Sequence, residues 1–233
     1  MELNDALKNI HFGSVLDSHL WKISDEYTAL AALKYCFGEE YKHMRKAEIP
    51  DLQDVENSVA IEVTSSVTSD EAKITGAFTR LQQVPTEKDK VKCRKKIEAG
   101  GANLEDDGFL LFRSEDPIDE RAAMVNAFTK KRDKVSAYLE KGFKRIGLLI
   151  YHEKPIFSET ETEFQEWFAA EQKDKTDKYD FVYILHIDGL LFYDFTTGKK
   201  DRIKISCEDR RALGNLGRMA AEGKVKDDDP VWL

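Results

Sequence analysis

The sequence predicts an α/β protein, with a central mixed sheet flanked by helices. Three observations carry this. Phe109–Phe112 and Ile146–Tyr151 are short, continuous apolar runs of the kind that form strands buried on both faces. They alternate with stretches whose apolar residues recur at helical spacing, near residues 24–37, 69–83, 117–141 and 159–173. Two pairs of apolar runs joined by polar turns, near 50–64 and 181–193, read as antiparallel hairpins. The 233 residues read as one domain over 1–233, with a core at about 20–152, further strands and a helix in 153–223, and a loosely held tail over 224–233.

In chain order, residues 1–20 are weakly patterned and suggest a short helix and a loop. Ser24-Asp25-Glu26 reads as a helix start, with Ser24 as N-cap and acids in the first turn, and Gly38 ends that helix after Phe37. At 100° per residue, Ile23, Leu30, Leu33 and Phe37 form one stripe with Glu26 inside it. Glu26 therefore points towards the core or a cleft, or else it is a surface acid favoured by the helix dipole. Pro50-Asp51-Leu52-Gln53 and Ser58 to Thr64 read as two strands joined by the turn Asp54-Val55-Glu56-Asn57. A helix over about 69–83 carries Ile74, Ala77, Phe78 and Leu81 on one side and is closed by Pro85. The segment Lys88–Ala99 suits a basic helix.

Pro117 to Lys141 reads as one long helix with proline near its first position and Gly142 beyond its end. Its stripe is Met124, Phe128, Val135, Tyr138 and Leu139, with Lys131 at the centre and Lys130 outside. Lys131 either snorkels to solvent or reaches a carboxylate cluster or a phosphate. Ile146–Tyr151 suits a parallel strand at the sheet centre. An amphipathic helix over Glu159–Lys173 follows, carrying Phe164, Trp167 and Phe168. Phe181–Leu185 and Leu190–Tyr193 flank Asp188-Gly189 as a hairpin, which Ile203–Ser206 extends, and Glu208–Glu222 reads as the last helix.

Charge and cysteine content narrow the function classes. The net charge of −8 argues against a protein that coats nucleic acid non-specifically. The balance is uneven, with 15 Lys+Arg against 12 Asp+Glu between Thr86 and Arg145. The basic residues there are either solvated helix faces or a local phosphate-binding surface comprising Lys88, Lys90, Lys92, Arg94, Lys95, Lys96, Lys130 and Lys134, with Lys73 nearby in sequence. No run approaches the roughly 18 apolar residues of a membrane span, and the first residues lack the pattern of a signal peptide. Cys36, Cys93 and Cys207 have no metal-type spacing and suit a reducing cytoplasm. The five histidines have no ligand spacing, and no glycine-rich phosphate loop or serine or cysteine nucleophile with a matching base stands out.

Chemistry points to the 50–64 hairpin. Val59, Ile61 and Val63 share one face of the second strand, while Ala60, Glu62 and Thr64 share the other. A carboxylate inside such a β-branched run is costly to bury unless it is paired or metal-bound. Asp51 sits where it can approach Glu62 from the neighbouring strand, and a divalent cation relieves the repulsion between two such carboxylates. Two or three carboxylates and the Val63 carbonyl suit a hard cation that keeps several waters.

The order of helix with Glu26, hairpin with Pro50-Asp51 and Ile61-Glu62-Val63-Thr64, helix, strand, helix and strand resembles the core of the PD-(D/E)xK nuclease superfamily, the restriction-endonuclease-like fold. The resemblance covers roughly residues 20–152. It implies that Asp51 and Glu62 hold Mg²⁺, with Mn²⁺ as a substitute, and that Glu26 assists. It also implies hydrolysis of phosphodiester bonds, in DNA ahead of RNA, in restriction or defence, and cutting both strands of a duplex favours a homodimer. The chain departs from the family pattern where Thr64 replaces the lysine two residues after the motif Glu. Lys131 is the first candidate to supply that cation and Lys73 the second. Without such a lysine the resemblance implies an inactive relative that binds nucleic acid or a protein partner.

Overall fold

A computed structural model describes residues 5–10, 12, 14–104, 110–112, 117–152, 154, 156, 158–226 and 229. Its helices are α1 (Asp5–Lys8), α2 (Trp21–Phe37), α3 (Ser69–Gln83), α4 (Glu87–Ala99), α5 (Pro117–Thr129), α6 (Val135–Glu140), α7 (Ser158–Gln172) and α8 (Cys207–Ala221). Its strands are β1 (Arg45–Lys46), β2 (Leu52–Asp54), β3 (Val59–Ser65), β4 (Ala102–Leu104), β5 (Leu110–Phe112), β6 (Arg145–Tyr151), β7 (Phe181–His186), β8 (Gly189–Asp194) and β9 (Lys200–Lys204). The chain divides into two compact units, one of Met1–His11, Leu16–Ser65 and Val125–Leu233, the other of Phe12–Val15 and Ser66–Met124.

The first unit holds a seven-stranded mixed sheet in the order β1-β2-β3-β6-β7-β8-β9. β6 lies at its middle, parallel to both β3 and β7, as its unbroken apolar run requires. On one face, Ile61, Val63, Leu149, Phe181 and Tyr183 join Leu30 and Leu33 of α2 and Leu213 and Leu216 of α8 in a single core. The other face carries Ala60, Glu62, Thr64, Leu148 and Ile150. Towards it turn Tyr138 of α6, which reaches Glu62, and α7, whose Glu161 carbonyl accepts from the Tyr193 hydroxyl at 2.6 Å. Phe128 of α5 stacks on Phe168 of α7 with ring centres 4.4 Å apart. The α/β class with helices flanking a mixed sheet is therefore what the chain adopts.

The second unit pairs α3 with α4 and β4 with β5. Thr68 and Glu71 form a reciprocal capping box at the start of α3, and Ile74 and Ala77 pack with Ile97 and Ala102. The Phe109–Phe112 run forms a strand, but β5 pairs with β4 in a separate two-stranded sheet and not with the central one. An apolar run specifies extended backbone without naming its partner. The burial expected for its side chains falls outside the described residues.

Several boundaries differ from the sequence reading. α2 begins at Trp21, led in by a 3-10 turn at Ser18–Leu20, so Ser24 lies inside the helix. Ser24 is buried, and its carbonyl accepts from the Thr28 hydroxyl at 2.8 Å. Tertiary packing explains this: α8 comes so close there that a Cβ on Gly217 would stand 2.7 Å from the Ser24 carbonyl oxygen. The long helix expected over 117–141 is broken. α5 ends at Thr129, Lys131 has φ −121° and ψ 7°, and a 3-10 turn at Arg132–Lys134 leads into α6. The break turns Leu139 outwards, 50% exposed, while Val135 and Tyr138 stay buried. The turn between β7 and β8 is Ile187-Asp188, with Gly189 already paired to His186. In the tail, Val225 joins the core; residues 227, 228 and 230–233 lie outside the described residues.

Candidate active site

The register of the hairpin decides the site. β2 and β3 are antiparallel with Leu52 opposite Ile61 and Gln53 opposite Ala60, so Asp51 falls opposite Glu62. Leu52 and Ile61 enter the core on one face, which puts Asp51 and Glu62 together on the other. The turn is held by Asp54, whose carboxylate accepts from the Asn57 backbone N–H at 3.0 Å and side-chain amide at 2.8 Å. On the other side of Asp51, the Ala47 N–H donates to the Asp51 carbonyl at 2.9 Å, and the Ile49–Pro50 peptide is cis.

Asp51 and Glu62 are both buried, at 2% and 0% exposure. One ammonium joins them: Lys131 Nζ lies 2.9 Å from Asp51 Oδ2 and 2.6 Å from Glu62 Oε2. The two oxygens therefore lie no more than 5.5 Å apart, the sum of those distances. Lys131 Nζ also donates to the Val63 carbonyl at 3.0 Å, and the Val63 N–H donates to Asp51 Oδ2 at 2.9 Å. Glu62 further accepts from the Tyr138 hydroxyl through Oε1 and meets Lys134 Nζ at 3.3 Å through Oε2. The helix break at Lys131 makes this possible, because Lys131, Lys134 and Tyr138 all reach β3 from the backbone beyond it.

Glu26 is buried on α2, as its place in the apolar stripe implied. Its carboxylate binds Lys22 through Oε1 and Lys46 through Oε2, each at 2.9 Å. Lys22 continues to Asp51 Oδ1 at 3.2 Å, so the three acids are linked through shared ammonium groups. Burial by itself would raise the Asp51 carboxyl. The Val63 N–H and the Lys131 and Lys22 charges outweigh it and hold the group down at about 2. Lys22 is pushed up to about 12, chiefly by its hydrogen bond to Glu26. Burial, and then the bond to Glu62, raises the Tyr138 phenol well above its ordinary range.

The oxygen donors suit a hard divalent cation in number and type: two buried carboxylates on one face and one backbone carbonyl beside them. Glu26 stands one lysine removed from this set. Among the described residues no group of three His, Cys, Asp or Glu side chains is arranged to hold a metal ion. Thr64 is buried two residues beyond Glu62 on the same face. Lys131, first choice for the missing ammonium, is at the site. Lys73 instead is exposed and pairs with Asp70 at 2.7 Å.

Of the basic residues offered to phosphate, Lys134 meets Glu62. Lys90 and Lys92 pair with Glu87 and Asp89 on their own helix, and Lys88, Arg94, Lys95, Lys96 and Lys130 are exposed. Sequence reasoning missed Lys22, Lys46 and the role of Tyr138. The i, i+4 spacing of Lys22 and Glu26 was a usable signal. Nothing local marked Lys46, and Tyr138 was disguised as one more member of an apolar stripe. No known family, curated protein or solved structure matches the chain.

Proposed function

We propose that the chain is a divalent-cation-dependent nuclease of the PD-(D/E)xK type, hydrolysing phosphodiester bonds in DNA in preference to RNA. The observation that carries this reading is the meeting of Asp51 and Glu62 on one buried face, with the Val63 carbonyl and the Lys131 ammonium beside them. Asp51, Glu62 and the Val63 carbonyl would hold Mg²⁺ or Mn²⁺, with Glu26 tied in through Lys22. The bound cation would supply a water of lowered pKa and a clamp for a non-bridging phosphate oxygen.

The protein's own groups do the rest. Hydrolysis joins a water oxygen to phosphorus, breaks one P–O ester bond and delivers a proton to the leaving oxygen. Lys131 and Lys134 offset the negative charge that develops on the phosphate. Tyr138 fixes the orientation of Glu62, and the Val63 N–H fixes that of Asp51. The free cysteines support a reducing, cytoplasmic setting, and among the described residues no helix is long and apolar enough to cross a membrane. A homodimer acting on both strands, in restriction or defence, fits this activity.

A second reading has its own support. Lys131 already satisfies the three oxygens offered to the cation, as it would in an inactive nuclease fold that binds nucleic acid or a protein partner. Incubation with plasmid, single-stranded DNA and RNA in Mg²⁺, Mn²⁺ or chelator separates the two. The nuclease reading expects cleavage of DNA that stops with chelator and with Asp51→Asn. Intact substrates under every condition refute it, as does full activity in Asp51→Asn.

A further inference from the structure

The contacts of the Lys131 ammonium pose a problem of occupancy. It has three hydrogens to donate and three oxygens receive them: Glu62 Oε2 at 2.6 Å, Asp51 Oδ2 at 2.9 Å and the Val63 carbonyl at 3.0 Å. These are the same oxygens a divalent cation would take. The carboxylates are 2% and 0% exposed, and the Lys131 side chain is 14% exposed, so little water screens the charges. Two acids held so close need a positive charge between them, and one charge satisfies that need. A divalent ion placed on those oxygens with the ammonium still present would set two like charges together in a poorly screened site.

We propose that the Lys131 ammonium and a divalent cation compete for one oxygen cage, so that cation entry expels Lys131 from it. This rests on the metal-dependent reading above. The backbone fits an exchange of this kind. Lys131 lies in the non-helical break between α5 and α6, next to exposed Lys130, so its side chain can leave without unwinding a helix. Lys22 and Lys134 are 69% and 45% exposed and remain beside Asp51 and Glu62 as the cation enters. The exchange gives Lys131 two stations. In one it neutralises the acids; in the other it is free to meet a substrate phosphate, and only a cation-loaded protein presents it there. Mutual exclusion also weakens the apparent affinity for the cation, because each binding event must break three charge-assisted hydrogen bonds.

Two measurements on the whole protein test this. The first is calorimetric titration of Mn²⁺ into the wild type and into Lys131→Met, which keeps the length of the side chain and removes its charge. Competition expects Lys131→Met to bind about tenfold more tightly, since the lost ammonium bonds no longer oppose the ion. Equal or weaker binding by the variant overturns competition and leaves the metal site standing. If neither protein binds Mn²⁺, competition and the metal-dependent reading fall together.

The second uses the wild type alone and so does not depend on the variant folding. Lysines are labelled with an amine-reactive acetylating reagent, with and without Mn²⁺, and the rate at Lys131 is read by mass spectrometry against exposed Lys200. Competition expects several-fold faster labelling at Lys131 in Mn²⁺ and no change at Lys200. An unchanged Lys131 rate with Mn²⁺ bound overturns it.

Discussion

Replacing Asp51 tests whether the site is as dry and as tightly paired as its geometry implies. Asp51→Ala removes the acceptor of the Val63 N–H and one acceptor of Lys131, both inside the protein. An orphaned buried N–H costs about 1–3 kcal/mol, and a lost hydrogen bond between charged groups about 1.5–3 kcal/mol. The Lys22 contact adds little, because that lysine is 69% exposed and screened by water. Asp51→Ala should therefore lose about 3–5 kcal/mol of stability, in the range for breaking a buried ion pair from one side. Asp51→Asn keeps an acceptor for the Val63 N–H and should lose less. Urea denaturation at pH 7, with the slope of the transition unchanged, measures both.

The dependence on pH follows from the depressed carboxyl. A group held at about 2 in the folded chain, against an ordinary 3.8, stabilises fully above 3.8. That contribution, roughly 2 kcal/mol, disappears as pH falls from there through about 2. The gap between wild type and Asp51→Asn should narrow over that window. A loss below about 1 kcal/mol for Asp51→Ala, or a gap independent of pH, would mean that water reaches the pair and that the argument from burial is wrong.

Tyr138→Phe removes the hydroxyl that donates to Glu62 and should cost about 1.5–3 kcal/mol in the urea transition. If Glu62 is a cation ligand, that variant should also lower the cleavage rate about 10–100-fold, and a wild-type rate would remove Tyr138 from the positioning role. Lys22→Met should change stability by less than about 1 kcal/mol, as expected for an exposed ion-pair partner; a larger loss would show that the Glu26–Lys22–Asp51 chain acts as a unit. Gly217→Ala drives a methyl group into the α2 backbone, 2.7 Å from the Ser24 carbonyl oxygen and 2.8 Å from the Thr28 nitrogen, and should destabilise by about 1–3 kcal/mol. Unchanged thermal stability in that variant would show that α8 can shift away freely.

Much of the fold was legible along the chain because its signals are local. The uninterrupted apolar run of β6 marked a strand covered on both faces, and Gly38 and Gly142, both with positive φ, marked helix ends. The alternation Val59-Ala60-Ile61-Glu62-Val63-Thr64 put Glu62 on the face opposite the core, and the stripe on α2 turned Glu26 inwards. These follow from fixed periods of 2 and 3.6 residues, which no distant contact can alter. Where signals depended on partners, the chain was silent or misleading. The strand β5 found β4, Ser24 was claimed by α8, and Leu139 turned out to solvent once the helix broke before it.

The amino-acid order alone determined which residues are strands, which are helices and which carboxylates face away from the core, because backbone geometry repeats over a few residues. Only the tertiary structure decided which ammonium groups meet those carboxylates. Lys131 and Lys22 reach Asp51 from 80 and 29 residues away, and a pairing across such separations is set by how the elements pack and not by any local preference.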